Sequence, residues 1–466
     1  MMKQSRNFFE EFEKVYFIGI GGIGMSALAR YFKHKGFLVG GYDKTSSELT
    51  KSLEFEGCLI HYEDLGSYLP KEFKNMNTTL VVYTPAIPDE MKEKVYFADN
   101  NFQILKRSEV LGIITRQSKG LCVAGTHGKT TTSSMLAHIV DQSTWKCNAF
   151  LGGIASNFDS NLVLSESSDW TVIEADEFDR SFLKLSPFSS IVTSIDPDHL
   201  DIYGNSEHFL EGFRQYAMKI EPSGFLVEKE GIDLPTLAKK VSYSLNSETA
   251  DYTMFNLVFR DGSLQADVRL KTNFWQNVKL GIPGIHNAEN ALACIALLNE
   301  LDMSETEIRK GLTSFLGVKR RFEYHIRTEN LVYIDDYAHH PNELSILIES
   351  IRMLYPDKKI TGIFQPHLYS RTRDFAEEFA FELSKLDELI LLPIYPAREK
   401  PIHGITSEWL FSKVTLSKKQ LLSPSETLPY FNNFEKGIIL TIGAGDIDRI
   451  SQPLKEILLT NINSGK

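Results

Sequence analysis

Short apolar runs alternate with helix-like patterns along the whole chain. The first run, at residues 15–18, is followed by several glycines and then by apolar residues at i, i+3, i+4 and i+7: Met25, Leu28, Ala29 and Phe32. This spacing is that of one helix face, so it predicts a strand followed by an amphipathic helix. Gly36 stands where that helix should be capped, and the runs at 37–42 and 80–83 predict further strands.

The same alternation restarts twice further along the chain. Strands are predicted at 121–124, 170–173 and 191–194, and later at 331–334, 360–364, 389–392 and 438–442. Helices are predicted where apolar residues share one face: Met135, Leu136, Ile139 and Val140; Leu344, Leu347, Ile348, Ile351 and Leu354; Phe375, Phe379, Leu383 and Leu386. Strands that alternate with helices predict an α/β fold with parallel sheets. The restarts predict three domains, at residues 1–107, 108–318 and 319–466.

Composition and charge narrow the range of functions. Of 466 residues, 42% are hydrophobic and 24% are charged, as in ordinary globular proteins. Fifty basic residues against 61 acids give a net charge of −11, which argues against nucleic acid or an anionic membrane as the main partner. The N-terminus has no apolar signal core and no later run could span a bilayer, so we expect a cytoplasmic protein without a membrane partner. Four widely spaced cysteines argue against a zinc site or a disulfide framework.

A glycine-rich turn follows the first predicted strand. Gly19, Gly21 and Gly24 match the pattern G-x-G-x-x-G, with Gly22 between them. Such a turn lets the backbone approach a pyrophosphate, which the N-terminus of the following helix then binds. Asp43 ends the next predicted strand, where an acid can meet a ribose hydroxyl. Two alternatives remain open from these residues: a nicotinamide-dependent dehydrogenase and a glycine turn with a structural role only.

A second loop, between a predicted strand and helix, has the character of a phosphate loop. Its residues are Gly125, Thr126, His127, Gly128, Lys129, Thr130 and Thr131. Backbone amides would hold the phosphates, Lys129 would reach their outer oxygens, and the Thr130 hydroxyl would bind magnesium. The full pattern also requires glycine at position 123, where this chain has Val123, which weighs against a generic GTPase or ATPase. A chance match in a helix cap is the alternative.

Acidic residues follow the next two predicted strands, at 174–179 and 196–201. Ligands of α/β sheets bind beyond the carboxyl ends of the strands, so the phosphate loop, a carboxylate and a histidine should meet in one crevice. We predict that Glu174 and His199 are linked to a metal, and magnesium suits hard oxygen ligands. For Asp176, Glu177, Asp198 and Asp201, a solvated loop or helix cap is an equally good interpretation.

The third segment carries two unusual strings, at 335–342 and 365–373. Their arginines suit a carboxylate or a phosphate, and their histidines suit either a metal or a substrate amine. A further string at 286–290 precedes a helix and could reach a purine edge. Loops with surface histidines and arginines are the alternative for the two strings of the third segment.

Taken together, these motifs resemble the Mur ligase family, which adds amino acids to UDP-N-acetylmuramic acid. The resemblance rests on residues 19–24, 125–131, Glu174, 198–199, 286–290, 320–322 and 335–341, which occur in order and cover nearly the whole chain. It implies a Rossmann-like N-terminal domain for the UDP-sugar and a central P-loop ATPase-type domain for ATP and magnesium. A Rossmann-like C-terminal domain would bring the amino acid and close over ATP.

The resemblance also implies a role for individual residues. It places Lys129, His199 and His339 in catalysis and Thr130, Glu174 and His199 at the metal. ATP contacts are implied for residues 125–131 and for Asn290, Arg321 and Asp336. UDP-sugar contacts are implied for Gly19, Gly21, Gly22, Gly24, Asp43 and His127, and amino-acid contacts for Tyr337, His339, Arg371 and Arg373.

The chain departs from the family pattern in one place that bears on the amino-acid site. Many relatives have arginine directly after His367, whereas this chain has Leu368, so carboxylate binding would rest on Arg371 or Arg373. It also has no lysine after His199 at the place where other members carry a carbamylated lysine, which is typical of the branch that adds L-alanine.

The implied reaction is the ATP-dependent ligation of L-alanine to the carboxylate of UDP-N-acetylmuramate by a monomer or weak homodimer. A family member that attaches a whole peptide to the same sugar nucleotide is the nearest alternative. A dehydrogenase and a non-catalytic nucleotide switch are alternatives from other classes.

Overall fold

The computed structural model describes residues 8–197, 200–260, 263–397 and 399–463, with the side chains of residues 200 and 201 left out. The chain forms three sheets. Its contacts divide it into two compact units, the first containing residues up to 281 together with 288–316, and the second 282–287 together with the rest of the chain from 317. Within the described ranges, no helix combines the length and apolar character needed to cross a membrane.

The first sheet contains five parallel strands in the order β3-β2-β1-β4-β5, with helices in the connections. Its elements are β1 Lys14–Ile18, α1 Ile23–His34, β2 Leu38–Tyr42, α2 Glu48–Phe55, β3 Leu59–His61, β4 Thr79–Tyr83, α3 Lys92–Asp99, β5 Gln103–Lys106 and α4 Arg107–Arg116. Short 3-10 helices lie at Phe8–Glu11, Gly66–Tyr68 and Lys71–Phe73. This strand order brings the carboxyl ends of β1, β4 and β5 to one edge.

Local sequence accounts for the first strand and helix. Four of the five residues of β1 are buried, as a central parallel strand requires. The four apolar residues that predicted α1 are all buried on its inner face. Gly36 follows α1 with a φ of +87°, a conformation that glycine adopts without steric cost.

The second sheet has ten strands in the order β15-β14-β13-β12-β11-β10-β6-β9-β7-β8. Its strands are β6 Lys119–Ala124, β7 Asn148–Ala155, β8 Ser160–Val163, β9 Trp170–Glu174, β10 Pro187–Val192, β11 Phe225–Lys229, β12 Lys239–Leu245, β13 Tyr252–Arg260, β14 Ser263–Arg269 and β15 Phe274–Leu280. Its helices are α5 Lys129–Gln142, α6 Leu200–Tyr203, α7 Ser206–Ala217, α8 Ile285–Glu300 and α9 Glu305–Ser314, with a 3-10 helix at Phe178–Lys184. The strand predicted at 191–194 therefore begins earlier and ends at Val192.

The edges of this sheet were not predicted. The central strands pair in parallel, but β8, β14 and β15 pair antiparallel with their neighbours. In β15 the exposed and buried positions alternate, which is typical of a strand with one solvated face. Such strands lack the continuous apolar run that identified the buried parallel strands.

The third sheet has six strands in the order β16-β17-β21-β18-β19-β20, and only the β16–β17 pair is antiparallel. Its elements are β16 Glu323–Arg327, β17 Leu331–Asp336, α10 Pro341–Leu354, β18 Ile360–Phe364, α11 Tyr369–Asp374, α12 Ala376–Leu383, β19 Glu388–Leu391, α13 Ser407–Lys413, β20 Lys419–Leu421, α14 Pro424–Tyr430, β21 Gly437–Ile442 and α15 Asp448–Asn463. The helix predicted from Phe375 is α12, which begins one residue later because Phe375 is its N-cap with a non-helical φ of −119°. Leu386, its last predicted residue, lies beyond the end of α12, and the short helix α11 before it was not predicted.

The α/β fold class with Rossmann-like and P-loop sheets is confirmed. Within the first unit, one apolar core joins residues of the first sheet, such as Phe17, with residues of the second, such as Cys122. The second unit has cores on both faces of its own sheet. The domain boundaries near 107 and 318 stay predictions.

Candidate active site

The phosphate loop connects β6, at the centre of the second sheet, to α5. Two of its glycines have left-handed backbones, Gly125 with a φ of +135° and Gly128 with a φ of +79°. A side chain at Gly125 would collide with Thr193, and a Cβ at Gly128 would lie 2.9 Å from Oδ1 of Asn290. The loop is therefore tightly packed, and Asn290, predicted to contact the nucleotide, lies beside it.

Lys129 is the first residue of α5, and its ammonium folds back over the loop. Its Nζ donates to the carbonyl of Gly125 at 2.6 Å and to Oε1 of Glu177 at 2.8 Å. Burial opposes the charged form of Lys129, but the neighbouring carboxylates outweigh it and raise its pKa, Glu177 contributing most. Burial, only partly offset by Lys129, raises the pKa of Glu177 to about 7. The structure thus holds the lysine at the mouth of the phosphate loop.

Glu177 is buried. A solvated loop was one interpretation of its sequence position, and the structure does not agree with it. Its side chain is 1% exposed and forms an ion pair with Lys129. The sequence did not distinguish Glu177 from three other acids, because a run of acids after a strand does not show which side chain is buried. The one usable signal was its position after β9, the direct neighbour of the strand that carries the phosphate loop.

Two oxygen-bearing side chains meet beside the phosphate loop: Thr130 lies in the first turn of α5, and Glu174 is the last residue of β9. The Thr130 hydroxyl donates to Oε1 of Glu174 at 3.0 Å, and the amide of Gly152 donates to Oε2 at 2.9 Å. A side chain at Gly152 would collide with this carboxylate. A hydroxyl and a carboxylate beside a phosphate loop fit Mg²⁺, which prefers oxygen ligands. His199, the third predicted ligand, lies outside the described residues.

The remaining loop residues are held by the segment that follows β10. The Thr126 hydroxyl donates to the carbonyl of Asp196 at 2.7 Å, and the His127 amide donates to the Ser194 hydroxyl at 2.9 Å. Nε2 of His127 lies 3.9 Å from a carboxylate oxygen of Asp196. Thr131 is 8% exposed, so its side chain packs inward. The loop is supported on one side by β9 and on the other by β10.

Asp43, which the sequence placed where an acid can meet a ribose hydroxyl, contacts the glycine turn of the first sheet. Oδ2 of Asp43 accepts the amide of Gly21 at 2.7 Å, so this carboxylate is directed into the turn. Gly19 has a φ of +89°, and Gly22, the N-cap residue of α1, leaves the helix without a side-chain cap. The first turn of α1 also has no acidic residue. These features leave the helix N-terminus suited to an anion.

Two basic residues, at the end of β5 and the start of α4, join this turn to the acidic segment after β9. Arg107 lies 3.4 Å from a carboxylate oxygen of Asp176, and Lys106 lies 3.2 Å from one of Asp179. A side chain at Gly24 would collide with the Arg107 guanidinium. Arg107 was not predicted as a site residue, because an arginine at the start of a helix has no distinguishing spacing in the sequence.

In the second unit, the carboxyl end of β17 supports the turn at residues 320–322. Asp336 accepts the amides of Phe322 at 2.7 Å and Ala338 at 2.8 Å, one on each oxygen. Burial, opposed by Arg321, raises the pKa of Asp336 to about 6. The Arg321 guanidinium lies 4.6 Å from the centre of the Tyr337 ring. Asp336 therefore has a structural role, and its contact with the nucleotide stays a prediction.

Two histidines of this unit lie together beyond β17 and β18. The ring centres of His339 and His367 are 6.0 Å apart, and Nδ1 of His339 is 3.0 Å from the carbonyl of Tyr337. Burial lowers the pKa of His339 despite the nearby Glu343. Burial, with smaller contributions from the neighbouring His339 and Arg371, lowers the pKa of His367 to about 4. The lowered pKa favours the neutral form of both imidazoles.

The structure distinguishes the two arginines predicted for the amino-acid site. Arg371 is close enough to affect the protonation of both His339 and His367. Arg373 instead donates to Asp374 at 2.7 Å and is half exposed. Leu368, where many relatives have arginine, has an unusual positive φ of +71°. Which of the two arginines binds the amino-acid carboxylate stays a prediction.

Comparison with known proteins relates this chain to one family over nearly its whole length. Residues 14–119 match the "Mur ligase family, catalytic domain", 123–298 the "Mur ligase middle domain", and 320–446 the "Mur ligase, glutamate ligase domain". UDP-N-acetylmuramate–L-alanine ligase of Parabacteroides distasonis is 52% identical over 452 residues, which cover 96% of this chain and 98% of that protein.

Solved structures show the same relationship. UDP-N-acetylmuramate–alanine ligase of Thermotoga maritima has a TM-score of 0.81 and 27% identity, covering 97% of this chain and 100% of that one. A murein peptide ligase of Psychrobacter arcticus has a TM-score of 0.69 at 23% identity, covering 96% and 98%, a likeness of fold alone.

Proposed function

The chain belongs to the Mur ligase family, and from that premise we propose that it ligates L-alanine to the carboxylate of UDP-N-acetylmuramate at the expense of ATP. The relatives that cover nearly all of the chain carry that activity in their names. The reaction supplies the first amino acid of a peptidoglycan precursor. All four cysteines are buried and free, which suits the proposed cytoplasmic location.

One observation carries the proposal: two anion-binding loops lie in the same compact unit and are linked through side chains. The glycine turn at α1 reaches Asp176 through Arg107, and Glu177, the next residue, holds Lys129 of the phosphate loop. A dehydrogenase requires only the first loop and a nucleotide switch only the second. A ligase that activates the carboxylate of a sugar nucleotide with ATP requires both.

In the first chemical step, the muramoyl carboxylate attacks the γ-phosphorus of ATP, giving an acyl phosphate and ADP. This step brings an anion to a highly charged triphosphate. One pair of unit charges ~4 Å apart costs about 4 kcal/mol at an effective dielectric constant near 20. Lys129 would offset this repulsion, and the backbone amides of its loop would hold the phosphates in place. Mg²⁺, held by Thr130 and Glu174, would supply further positive charge.

In the second step, the amine of alanine attacks the activated carbonyl carbon and inorganic phosphate leaves. The amine must be neutral to attack and loses a proton as the amide forms. The neutral imidazole of His339 suits the role of acceptor, and Arg371 suits the alanine carboxylate. His367, which was not among the predicted site residues, lies close enough to His339 to share this role.

The deciding experiment is to incubate the protein with UDP-N-acetylmuramate, ATP, Mg²⁺ and single amino acids. The mass of the product and the amount of released phosphate are then measured. An alanine adduct, with phosphate release only when both acceptors are present, would support the proposal and rank alanine against glycine and serine. An adduct with an alanine-led tripeptide but with no single amino acid would assign the peptide-recycling reaction instead. No adduct with either would overturn the proposal.

A further inference from the structure

Arg107 lies at the start of α4, directly after β5, on the sheet edge that also carries the glycine turn. Its guanidinium occupies the space that a side chain at Gly24 would fill, against the first turn of α1. Gly24 has no positive φ in this structure, so its conformation does not require glycine. Because Gly24 has no side chain, the Arg107 guanidinium can pack directly against the first turn of α1.

This arrangement adds a full positive charge to a helix end that is already suited to anions. The N-cap residue Gly22 offers no side-chain acceptor, and the first turn of α1 contains no acid. Arginine presents a planar fork of N–H donors that can bind two phosphate oxygens at once. A diphosphate at the glycine turn would therefore meet backbone amides from α1 and a guanidinium from α4.

The present partner of Arg107 is one that an incoming anion can replace. Its closest approach to Asp176 is 3.4 Å, with the two side chains 23% and 36% exposed. Ion pairs of this kind contribute little because water screens them. Asp176 also accepts the amide of Phe178 at 3.1 Å, so it keeps a hydrogen bond after Arg107 leaves.

We propose that Arg107 is a substrate-binding residue that leaves Asp176 to bind the diphosphate of the sugar nucleotide at the first turn of α1. The inference rests on the proposed function, because it assumes a UDP-sugar at the glycine turn. It assigns Arg107 to the sugar nucleotide and not to ATP, whose phosphates are the partners of Lys129.

The test is the binding of UDP-N-acetylmuramate to Arg107→Ala, Arg107→Lys and wild type, measured by calorimetry, with ATP titrated separately. Arg107→Ala is expected to weaken UDP-N-acetylmuramate binding about 10- to 100-fold, the size of a lost charged hydrogen bond, and to leave ATP binding unchanged. Arg107→Lys keeps the charge without the fork and should recover part of the loss. Arg116→Ala, an exposed arginine at the other end of α4, is the matched control.

The variant Asp176→Asn distinguishes two roles of Arg107: binding of the diphosphate, and a purely structural ion pair with Asp176. If Arg107 binds the diphosphate, this variant binds UDP-N-acetylmuramate at least as tightly as wild type, because the competing carboxylate is gone. If the pair only supports the fold, Asp176→Asn and Arg107→Ala weaken binding alike, which would overturn the inference. A twofold change or less in Arg107→Ala would also overturn it.

The readout is binding, so it does not depend on amide formation. A wild type that binds UDP-N-acetylmuramate but forms no alanyl product would refute the proposed function, while the variants still decide the role of Arg107. A wild type that does not bind the sugar nucleotide at all would overturn both.

Discussion

At the scale of single residues, Lys129 shows how one side chain serves both stability and chemistry. Its ammonium is held by a nearly inaccessible Glu177 and by a loop carbonyl. A buried charge pair adds little net stability, yet removing one partner leaves the other charge in a medium that solvates it poorly. Loss of activity in a lysine variant would therefore combine two effects that must be separated.

Lys129→Ala is expected to lower kcat for ligation by at least about 10²- to 10³-fold, because a preorganised charge at the phosphates is lost. The same change should cost about 3 kcal/mol of unfolding free energy, because the buried Glu177 loses this ammonium. Phosphate release and urea unfolding measure the two effects. Lys146→Ala, at a half-exposed site, should leave both near wild type.

The double variant Lys129→Ala with Glu177→Gln distinguishes the two effects. It removes both charges, so most of the lost stability should return while ligation stays lost. Recovery of ligation along with stability would mean that Lys129 is needed for the fold and not for the phosphates.

His367 predicts a pH dependence of stability in the second unit. Its folded pKa of about 4 lies below the ordinary value of about 6.5, so the unfolded chain binds more protons between these limits. Stability from this group is thus fully present above about pH 6.5 and declines as the pH falls. Between pH 7.5 and pH 5, wild type should lose about 1 kcal/mol more than His367→Gln in urea unfolding, after allowing for solvent screening. Parallel declines would show that His367 titrates normally.

At the scale of secondary structure elements, a side chain from the second sheet forms hydrogen bonds with α1 of the first. Asn161 of β8 is fully buried and donates to the Ile23 carbonyl and, at 3.1 Å, to the Ser26 hydroxyl. It also accepts a hydrogen bond from Arg30 at 3.0 Å. This amide fixes the first turn of α1, where the diphosphate is proposed to bind, against the β7–β8 hairpin.

Asn161→Ala is expected to reduce the unfolding free energy by about 2 kcal/mol, because it removes the hydrogen bonds that join β8 to Ile23, Ser26 and Arg30 of α1. It should also weaken UDP-N-acetylmuramate binding while ATP binding changes little. Denaturant unfolding and calorimetric titration measure the two effects, with the exposed Asn77→Ala as control. Equal stability of the two variants would show that the Asn161 contacts do not support α1.

At the scale of the whole molecule, the chain consists of two compact units with separate apolar cores. The first unit contains the glycine turn and the phosphate loop, because the first two sheets share a core. The second contains the histidine pair and Arg371. Each unit buries enough apolar surface of its own to unfold cooperatively.

Differential scanning calorimetry should therefore resolve two unfolding transitions. ADP with Mg²⁺ should raise the midpoint of the transition that belongs to the first unit, since a ligand bound only to the folded state stabilises it by about 2.7 kcal/mol at 100 times its Kd. Lys129→Ala should lose most of this shift. A single transition would mean that the two units unfold together.

The sequence by itself determined the fold class, the glycine turn and the phosphate loop, because all three depend on local patterns. Continuous apolar runs identified parallel strands at the centre of each sheet, such as β1, β6 and β21, and helical spacing identified α1 and α10. The buried parallel strand β11 was not predicted. The antiparallel edge strand β15 was missed because its buried apolar positions are separated by exposed polar ones. The short helix α11 was missed because its residues are mostly polar and form no apolar stripe.

Only the tertiary structure decided which polar side chains meet. It turned Glu177 inward to Lys129, directed Asp43 into the glycine turn and placed Arg107 beside Gly24. These outcomes depend on contacts between strand ends that lie tens of residues apart, and no local spacing records them.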